Sequence, residues 1–461
     1  MTWKPDSEKV LVSHTGHRLV RRTAFKFALD LTDEQESRCR QYAGAARLAY
    51  NHHIGRVKAN LGQRAAELSY GMTATEMTPA VSWSKVAFIN EMNAWKNGKA
   101  PDSPTSDGTG ERGLLWRDSV CADVFECASV DAAESLGNWK SSKAGRRKGR
   151  KVGFPKFRAK RKDKPRFRLR SKSKPGETAP VRVTGPKRIR FSKLGEMRVH
   201  GCTKRLRRMI TQGRFHVYSV SFSCEGGRWW ASVEGVAAVF NRARRTARPM
   251  AGVVRWDKPA GLDRGVKDLA VIADVEGNVL HVESGVKALA AALTRLRAAN
   301  KTLARTKPGS SGRAKAKQRL TRIHAWIAQL RAHSLHQLSW WLSHHLSALT
   351  METLNITGMA GLRSLARRVA DQAMGQLGTQ IRYKADWYGL DLVDADRWYP
   401  SSKTCSGCGR IKRDLRLSER AYRCPIANGG CGLVLDRDVN AAINVARWPA
   451  KRPPQPIRAG A

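Results

Sequence analysis

The 461 residues are enough for roughly two to four compact units with at least one substantial buried core, which excludes a single small domain. Hydrophobic residues at 41% and aromatic residues at 7% are ordinary for a chain that folds, so general disorder is excluded too. Against that background 85 Lys+Arg and 38 Asp+Glu leave a formal charge of +47, a self-repelling excess that a polyanion would neutralise; nucleic acid is the expected partner, with a ribosomal-type or merely very soluble protein as the alternative.

The opening stretch MTWKPDSEKVLVSHTGHRLVRR lacks the apolar core of a signal peptide, and no later stretch approaches a membrane span in length. The chain is therefore expected in the cytoplasm, with no membrane partner and with its nine cysteines reduced. In RTAFKFALDL, Phe25, Phe27, Leu29 and Leu31 alternate at period two and predict a half-buried strand. Thr32 and Gln35 then form a capping-box pattern, behind which Cys39, Tyr42, Ala46, Tyr50, Ile54, Val57 and Leu61 recur at three- and four-residue steps, the mark of an amphipathic helix. Helical patterning continues from Val86 to Trp95 and from Trp116 to Trp139, interrupted by KAPDSPTSDGTGERG, a loop by composition, so residues 33–139 read as a helical unit.

From Lys140 to Lys174 there are eighteen Lys/Arg and one acid, Asp163, with Trp139, Phe154, Phe157 and Phe167 interleaved. Cations supply charge and aromatic faces can stack on exposed bases, so Arg146, Arg147, Lys148, Arg150, Lys151, Lys156 and Arg158 are candidate nucleic-acid contacts. A solvated basic linker is the alternative. Residues 187–236 read as strands, KRIRF, GEMRVHG, FHVYSVSF and RWWASVEG, with Gly226 and Gly227 at a hairpin position. They predict a small barrel or sandwich that the strand at 22–31 can join, followed by the linker FNRARRTARPMAGVVRWDKPA.

A meander begins at about Leu262 with GLDRG, LAVIAD, the turn VEGN and VLHV. Two long helices follow: Val286, Leu289, Leu293, Leu296 and Leu303 share a face in the first, and Leu320, Ile323, Ile327 and Leu330 in the second. LSALTMETLNI then reads as a buried strand, and a helix from about Leu362 leads into another, GLDLVDA. This β-β-β, helix, β, helix, β order fits an α/β domain of RNase H type.

In a chain so poor in acids, carboxylates on or just after apolar segments stand out: Asp263 after GL, Glu352 after LSALTM, and Asp438 in LVLDRDVNAAINV. Two-metal phosphodiester cleavage needs three or four converging carboxylates, and their burial calls for compensating cations. Singly, each has a plain alternative: a turn at Asp263, an ion pair at Glu352, a helix cap at Asp436 or Asp438. Further on, Cys405-x2-Cys408 and Cys424-x6-Cys431 are separated by fifteen residues in a segment rich in Gly and charge. Two such pairs can supply tetrahedral zinc, and Gly429, Gly430 and Gly432 make the long second knuckle feasible; a degenerate finger is the alternative. Cys39, Cys121, Cys127, Cys202 and Cys224 are scattered and read as small buried hydrophobes.

These residues resemble the transposon-encoded TnpB proteins and the compact type V CRISPR nucleases derived from them. The similarity spans nearly the whole chain, through FKFALDLTDEQ, GAARLAYN, NWKSSKAGRRKGRKVGFPKF, GLDRGVKDLAV, METLNITGM, YKADWYG, DRWYPSSKTCSGCG, and YRC through LVLDRDVNAAINV. The resemblance implies a multidomain α/β protein with β-barrel and helical domains and an RNase H-like (RuvC) nuclease core carrying an inserted zinc finger. Its divisions would be 1–32, the N-terminal strand of a wedge domain; 33–139, a helical recognition domain; 140–255, the basic linker and wedge β domain; 256–398, the first part of the RuvC domain; 399–432, the zinc-finger insert; and 433–461, the last RuvC part and tail. It implies an RNA-guided DNA endonuclease that recognises a short motif beside its target, in a bacterial or archaeal cytoplasm and associated with the nucleoid. Its partners would be a guide RNA and double- and single-stranded target DNA, with a homodimer on one RNA standing beside a monomer.

By position, Asp263, Glu352 and Asp438 are the implied catalytic ligands of two Mg²⁺ ions, and Cys405, Cys408, Cys424 and Cys431 those of structural zinc, while Arg397 and Lys403 are further phosphate contacts. The chain departs from the family pattern in CPIANGGC, where a short knuckle is usual, in Thr353, where an Asp often follows the catalytic Glu, and in His333, where an acid is expected. Two rival functions are an RNA-guided DNA binder that represses transcription without cutting and a guide-free transposase or resolvase.

Overall fold

In the computed structural model, which describes residues 20–105, 110–147, 149–171, 181–191, 194–238, 255–416 and 418–448, the chain opens on strand β1 (Val20–Asp30). Helix α1 (Asp33–Ser69) starts at the expected capping box: the Thr32 hydroxyl accepts from the Gln35 amide at 3.3 Å, and the Gln35 side-chain oxygen accepts from the Thr32 amide at 3.2 Å. Helices α2 (Lys85–Lys96) and α3 (Ala122–Lys143) pack beside it. The strands β2 (Arg166–Arg170), β3 (Val181–Gly185), β4 (Arg188–Phe191), β5 (Gly195–His200), β6 (Phe215–Glu225) and β7 (Arg228–Ala238) join β1 in an antiparallel seven-stranded sheet, order β2-β6-β7-β1-β5-β4-β3. A short helix α4 (Lys204–Thr211) lies between β5 and β6. Gly226 and Gly227 turn the β6–β7 hairpin at φ of 62° and 80°, both in the left-handed region that a two-residue hairpin of this twist requires. Among the described residues β2 and β3 are the sheet's edges.

The helices and the sheet share one core in the unit Met1–Val239. Tyr42 of α1 meets Phe167 of β2 edge-on at 5.4 Å, and Phe167 stacks on Phe222 at 4.7 Å. This corrects the expectation for Phe167. It lies inside the basic run, yet RFRLR is a period-two strand whose Phe167 and Leu169 point inward, so it is a core residue and not a platform for bases. Among the scattered cysteines Cys39 and Cys127 are buried, whereas Cys202 is exposed, against expectation.

The second unit, Phe240–Ala461, holds a five-stranded sheet. Its antiparallel meander is β8 (Ala260–Asp263), β9 (Ala270–Asp274) and β10 (Val279–Glu283). Helices α5 (Ala288–Arg305) and α6 (Ser311–His345) follow, and β11 (Ala348–Met351) returns parallel to β8. Helices α7 (Ile356–Gly361), α8 (Arg363–Gln372) and α9 (Met374–Tyr388) lead to β12 (Asp391–Asp394), parallel to β11, and the order is β10-β9-β8-β11-β12. Every residue of β9 is buried because both faces are covered: Ala270 and Ile272 pack in the cluster with α6 and α9, while Val271 and Ala273 pack on the C-terminal helix α10 (Arg437–Ala446). The β11 strand stops at Met351, shorter than its apolar run, because Asn355 caps α7. Lys384 ties α9 to α6, its ammonium donating to the His336 carbonyl and Ser339 hydroxyl, and burial lowers its pKa to about 8. Among the described residues no helix is long and apolar enough to cross a membrane.

Candidate active site and cysteine cluster

The β-sheet register decides where two of the acids stand. Leu262 of β8 pairs in parallel with Met351 of β11, so the next residues, Asp263 and Glu352, emerge side by side at the C-terminal ends of neighbouring strands. The third acid arrives on α10, which lies directly on β8: a Cβ at Gly261 would stand 2.1 Å from the Ala442 carbonyl oxygen, so only glycine permits this approach. The helix is capped by Asp436, whose carboxylate accepts from the Asp438 amide at 2.8 Å and the Val439 amide at 3.4 Å. Capping therefore falls to Asp436 and leaves the Asp438 carboxylate available, with Asp438 only 7% exposed.

The three acids interact. Asp263 and Glu352 stand beside each other, and burial, reinforced by the charges of Glu352 and Asp438, pushes the Asp263 carboxyl well above its ordinary range. Burial raises Glu352 as well, opposed by a hydrogen bond from the Ser401 hydroxyl and by the charge of Arg264. The trio is more widely spread than a one-ion cluster: among the described residues, the groups of three or more ligating side chains whose atoms all lie within 4.8 Å of one another are the four cysteines and His52–His53–Glu91. Compensating cations are at hand. Arg264 is buried, donates to the Glu352 carbonyl and to the Met374 carbonyl at 3.3 Å, and has its pKa lowered by burial to about 10. Arg437 Nε lies 3.6 Å from Asp438 Oδ1. Thr353 donates its hydroxyl to the Ala395 carbonyl at 2.8 Å, a structural role that needs no acid; His333 is exposed on α6, and nothing in the structure explains it.

The four cysteines meet as thiols suited to one ion. Cys405 Sγ is 3.6 Å from Cys431 Sγ and Cys408 Sγ is 3.7 Å from Cys424 Sγ. A tetrahedron with metal–sulfur bonds of about 2.3 Å has edges of about 3.8 Å, whereas a disulfide would bring sulfurs to about 2.05 Å. The long knuckle closes through the turn Ile426–Asn428 and Gly430, where a Cβ would stand 2.5 Å from Cys424 Sγ. Buried Tyr422 centres this small unit and donates to the carbonyls of Lys403 at 3.1 Å and Arg410 at 3.4 Å. Strands β13 (Ala421–Arg423) and β14 (Val434–Asp436) pair with each other, and β14 runs straight into α10.

A link that the sequence reading missed joins cysteine cluster and acids. Asn440 on α10 accepts from the Ser406 amide at 2.9 Å and donates to the Thr404 carbonyl at 2.7 Å; Asn444, one turn on, donates to the carbonyls of Ser401 at 2.8 Å and Thr404 at 2.6 Å. The available signal was two asparagines four residues apart in the otherwise apolar NAAINV. Together with Ser401 on Glu352, they fasten residues 401–406 to the helix that bears Asp438.

The candidate phosphate contacts divide. Arg146, Arg147, Arg150, Lys151, Lys156 and Arg397 are exposed, Lys403 is exposed but bonds the Arg413 carbonyl at 3.1 Å, and Lys148 lies outside the described residues. Arg158 departs from expectation: it reaches Asp131 at 3.4 Å, lies 3.6 Å over the Tyr50 ring and is largely buried. Its inward partner comes from α3, so no property of the basic run itself announces it.

Family models match the chain in three places: "Cas12f1-like, TNB domain" over residues 375–445, "Probable transposase" over 251–363 and "Helix-turn-helix domain" over 21–64, a stretch that here comprises β1 and part of the unbroken α1. A Mycobacterium tuberculosis (strain ATCC 25618 / H37Rv) protein named "Putative RNA-guided DNA endonuclease" is 30% identical, covering 94% of this chain and 87% of its own length. A protein of the same description from Escherichia coli (strain K12) is 27% identical over 92% of this chain and 91% of its own. Among solved structures, one titled "Cryo-EM structure of the Cas12f1-sgRNA-target DNA complex" aligns with a TM-score of 0.42 at 11% identity, covering 93% of this chain and 99% of that one.

Proposed function

The chain belongs to the TnpB family of RNA-guided DNA endonucleases, and from that premise we propose that it holds a guide RNA and cuts matched DNA beside a short adjacent motif at Asp263, Glu352 and Asp438. The observation that carries this reading is the parallel register that sets Asp263 and Glu352 side by side after β8 and β11, with α10, the helix that bears Asp438, packed on β8. The strand order β10-β9-β8-β11-β12, with its antiparallel meander and two parallel additions, supports the RNase H-like (RuvC) assignment.

Asp263, Glu352 and Asp438 would hold two Mg²⁺ ions, hard cations that oxygen donors suit. Bound there, they supply the activation of water and the stabilisation of the leaving oxygen in phosphodiester hydrolysis. The chain's own groups prepare the site. Ser401 orients the Glu352 carboxylate, Arg264 fixes the Glu352 backbone, and Arg437 offsets charge at Asp438. Exposed Arg397 and Lys403 then face solvent as contacts for strand phosphates, while pairing between guide and target selects the sequence. Cys405, Cys408, Cys424 and Cys431 would hold structural zinc, which would tie the cysteine-bearing segment together.

Guide-loaded protein is expected to linearise a matched plasmid with Mg²⁺, and Asp263→Ala to lower that rate by at least about 10²–10³-fold, the scale of one lost electrostatic stabiliser. Binding of the matched plasmid without any Mg²⁺-dependent cutting would replace the endonuclease by a repressing binder. Cutting that persists after all RNA has been removed would instead mark a guide-free transposase or resolvase.

A further inference from the structure

A cleft of about 550 Å³ opens in the first unit between α1, the end of α3 and the segment GFPKF, within the range of about 300–1,000 Å³ usual for small ligand sites. Its walls are aromatic and its charged members are cationic: Trp139, Phe154 and Phe157 line it with Lys58 and Lys156, and no acid does. Phe157 is 50% exposed, so one face of its ring is open to a partner. Trp139, in contrast, is held, with Phe154 edge-on at 5.1 Å and Trp83 at 5.9 Å. Lys58 lies 5.9 Å from the Phe157 ring centre and Lys143 5.8 Å from that of Trp139.

The segment that presents these rings is fastened at both ends. The Val152 amide donates to Ser142 Oγ at 2.8 Å, and Asn51 brackets Arg158, accepting from its amide at 2.8 Å and donating to its carbonyl at 2.9 Å. Phe157 lies over Gly55 of α1, its nearest ring carbon 3.7 Å from the place a Cβ would occupy. The rings are thus set in position before anything binds, which lowers the ordering cost of association.

Resting on the reading that the chain carries a guide RNA, we propose that this cleft takes one unpaired base of that RNA, stacked on Phe157 against the Trp139 wall, with Lys58 and Lys156 at the flanking phosphates. An aromatic floor with a cationic rim matches a base with its phosphates, flat and apolar on one side and anionic on the other. RNA fits better than target DNA because folded RNA displays splayed bases from the outset, whereas a duplex offers one only after it opens.

The test measures affinity of RNA-free full-length protein for a random-sequence single-stranded RNA of about 30 nucleotides, the matching single-stranded DNA and the matching duplex. Phe157→Leu is expected to weaken RNA binding about tenfold and Phe157→Tyr to keep it within about twofold, with duplex affinity and the salt slope unchanged, since a stack and not a phosphate contact is lost. Thermal melting of both variants at the parent temperature excludes misfolding, and if Phe157→Leu melts lower, Lys156→Ala together with Lys58→Ala is expected to weaken RNA binding and reduce the salt slope. Equal RNA affinity of Phe157→Leu and parent, or a loss confined to single-stranded DNA, overturns the proposal. A parent protein that binds no RNA at all refutes the guide-RNA reading instead, a different outcome from failure of the cleft.

Discussion

Asp263 carries the clearest conflict between chemistry and environment: it is buried, beside Glu352 and within reach of the charge of Asp438. Its raised folded pKa means that, above the ordinary carboxylate value, the folded protein binds more protons than the unfolded one. The favourable contribution present at low pH is therefore lost as pH rises through the folded pKa. Asp263→Asn removes the repelling charge, so in magnesium-free buffer it should melt above the parent, with a gap that widens as pH rises above the ordinary carboxylate range. Mg²⁺ should stabilise the parent more than the variant. A gap that stays constant or narrows in paired thermal scans would contradict the electrostatic account. The resemblance points to Asp438 over Asp436, and in the structure Asp436 spends its carboxylate on the helix cap.

At the scale of elements, α10 does three things on three sides. It packs on Gly261, presents Asp438 beside the other acids, and holds residues 401–406 through Asn440 and Asn444. Cysteine cluster and acids are thus joined by side-chain hydrogen bonds through α10 and residues 401–406. Cys408→Ser should lower bound zinc below about one ion per chain and lower plasmid cleavage even at saturating Mg²⁺, because Ser401 then loses its hold on Glu352. Asn440→Ala should cost about 1–3 kcal/mol in urea unfolding, since it strands the Ser406 amide and the Thr404 carbonyl. Full cleavage by protein shown to lack zinc would uncouple the two sites. The helix was readable in DRDVNAAINV; its grip on the insert was not, because hydrogen-bond partners more than thirty residues away leave no local pattern.

Across the whole molecule a charge of +47 makes nucleic-acid binding strongly salt-dependent, yet the cations of the basic run are not equivalent. Exposed Lys151 is free to meet phosphate, whereas Arg158 and Arg168 both turn to Asp131, and Arg170 to Asp123 and Glu126. Lys151→Ala should leave melting unchanged and reduce the log–log salt slope for single-stranded RNA by about 0.7. Arg158→Ala should do the reverse, destabilising the fold by about 1–3 kcal/mol with little change in slope. Equal salt slopes for Lys151→Ala and parent would remove Lys151 from the interface.

The strand read at 22–31 and found at Val20–Asp30, the capped helix after it, the Gly226–Gly227 hairpin and the cysteine spacing were all written in the sequence, because each rests on a period of two or 3.6 residues or on a residue's own conformational preference. The three acids were identifiable there as residue types in unusual places. Only the tertiary structure decided that Leu262 aligns with Met351, that Asp436 caps while Asp438 does not, that Phe167 belongs to a core, and that Arg158 faces Asp131. A short charged segment looks the same from within whether it meets water or an acid on a distant helix, and the distinction arises only when folding brings that helix alongside.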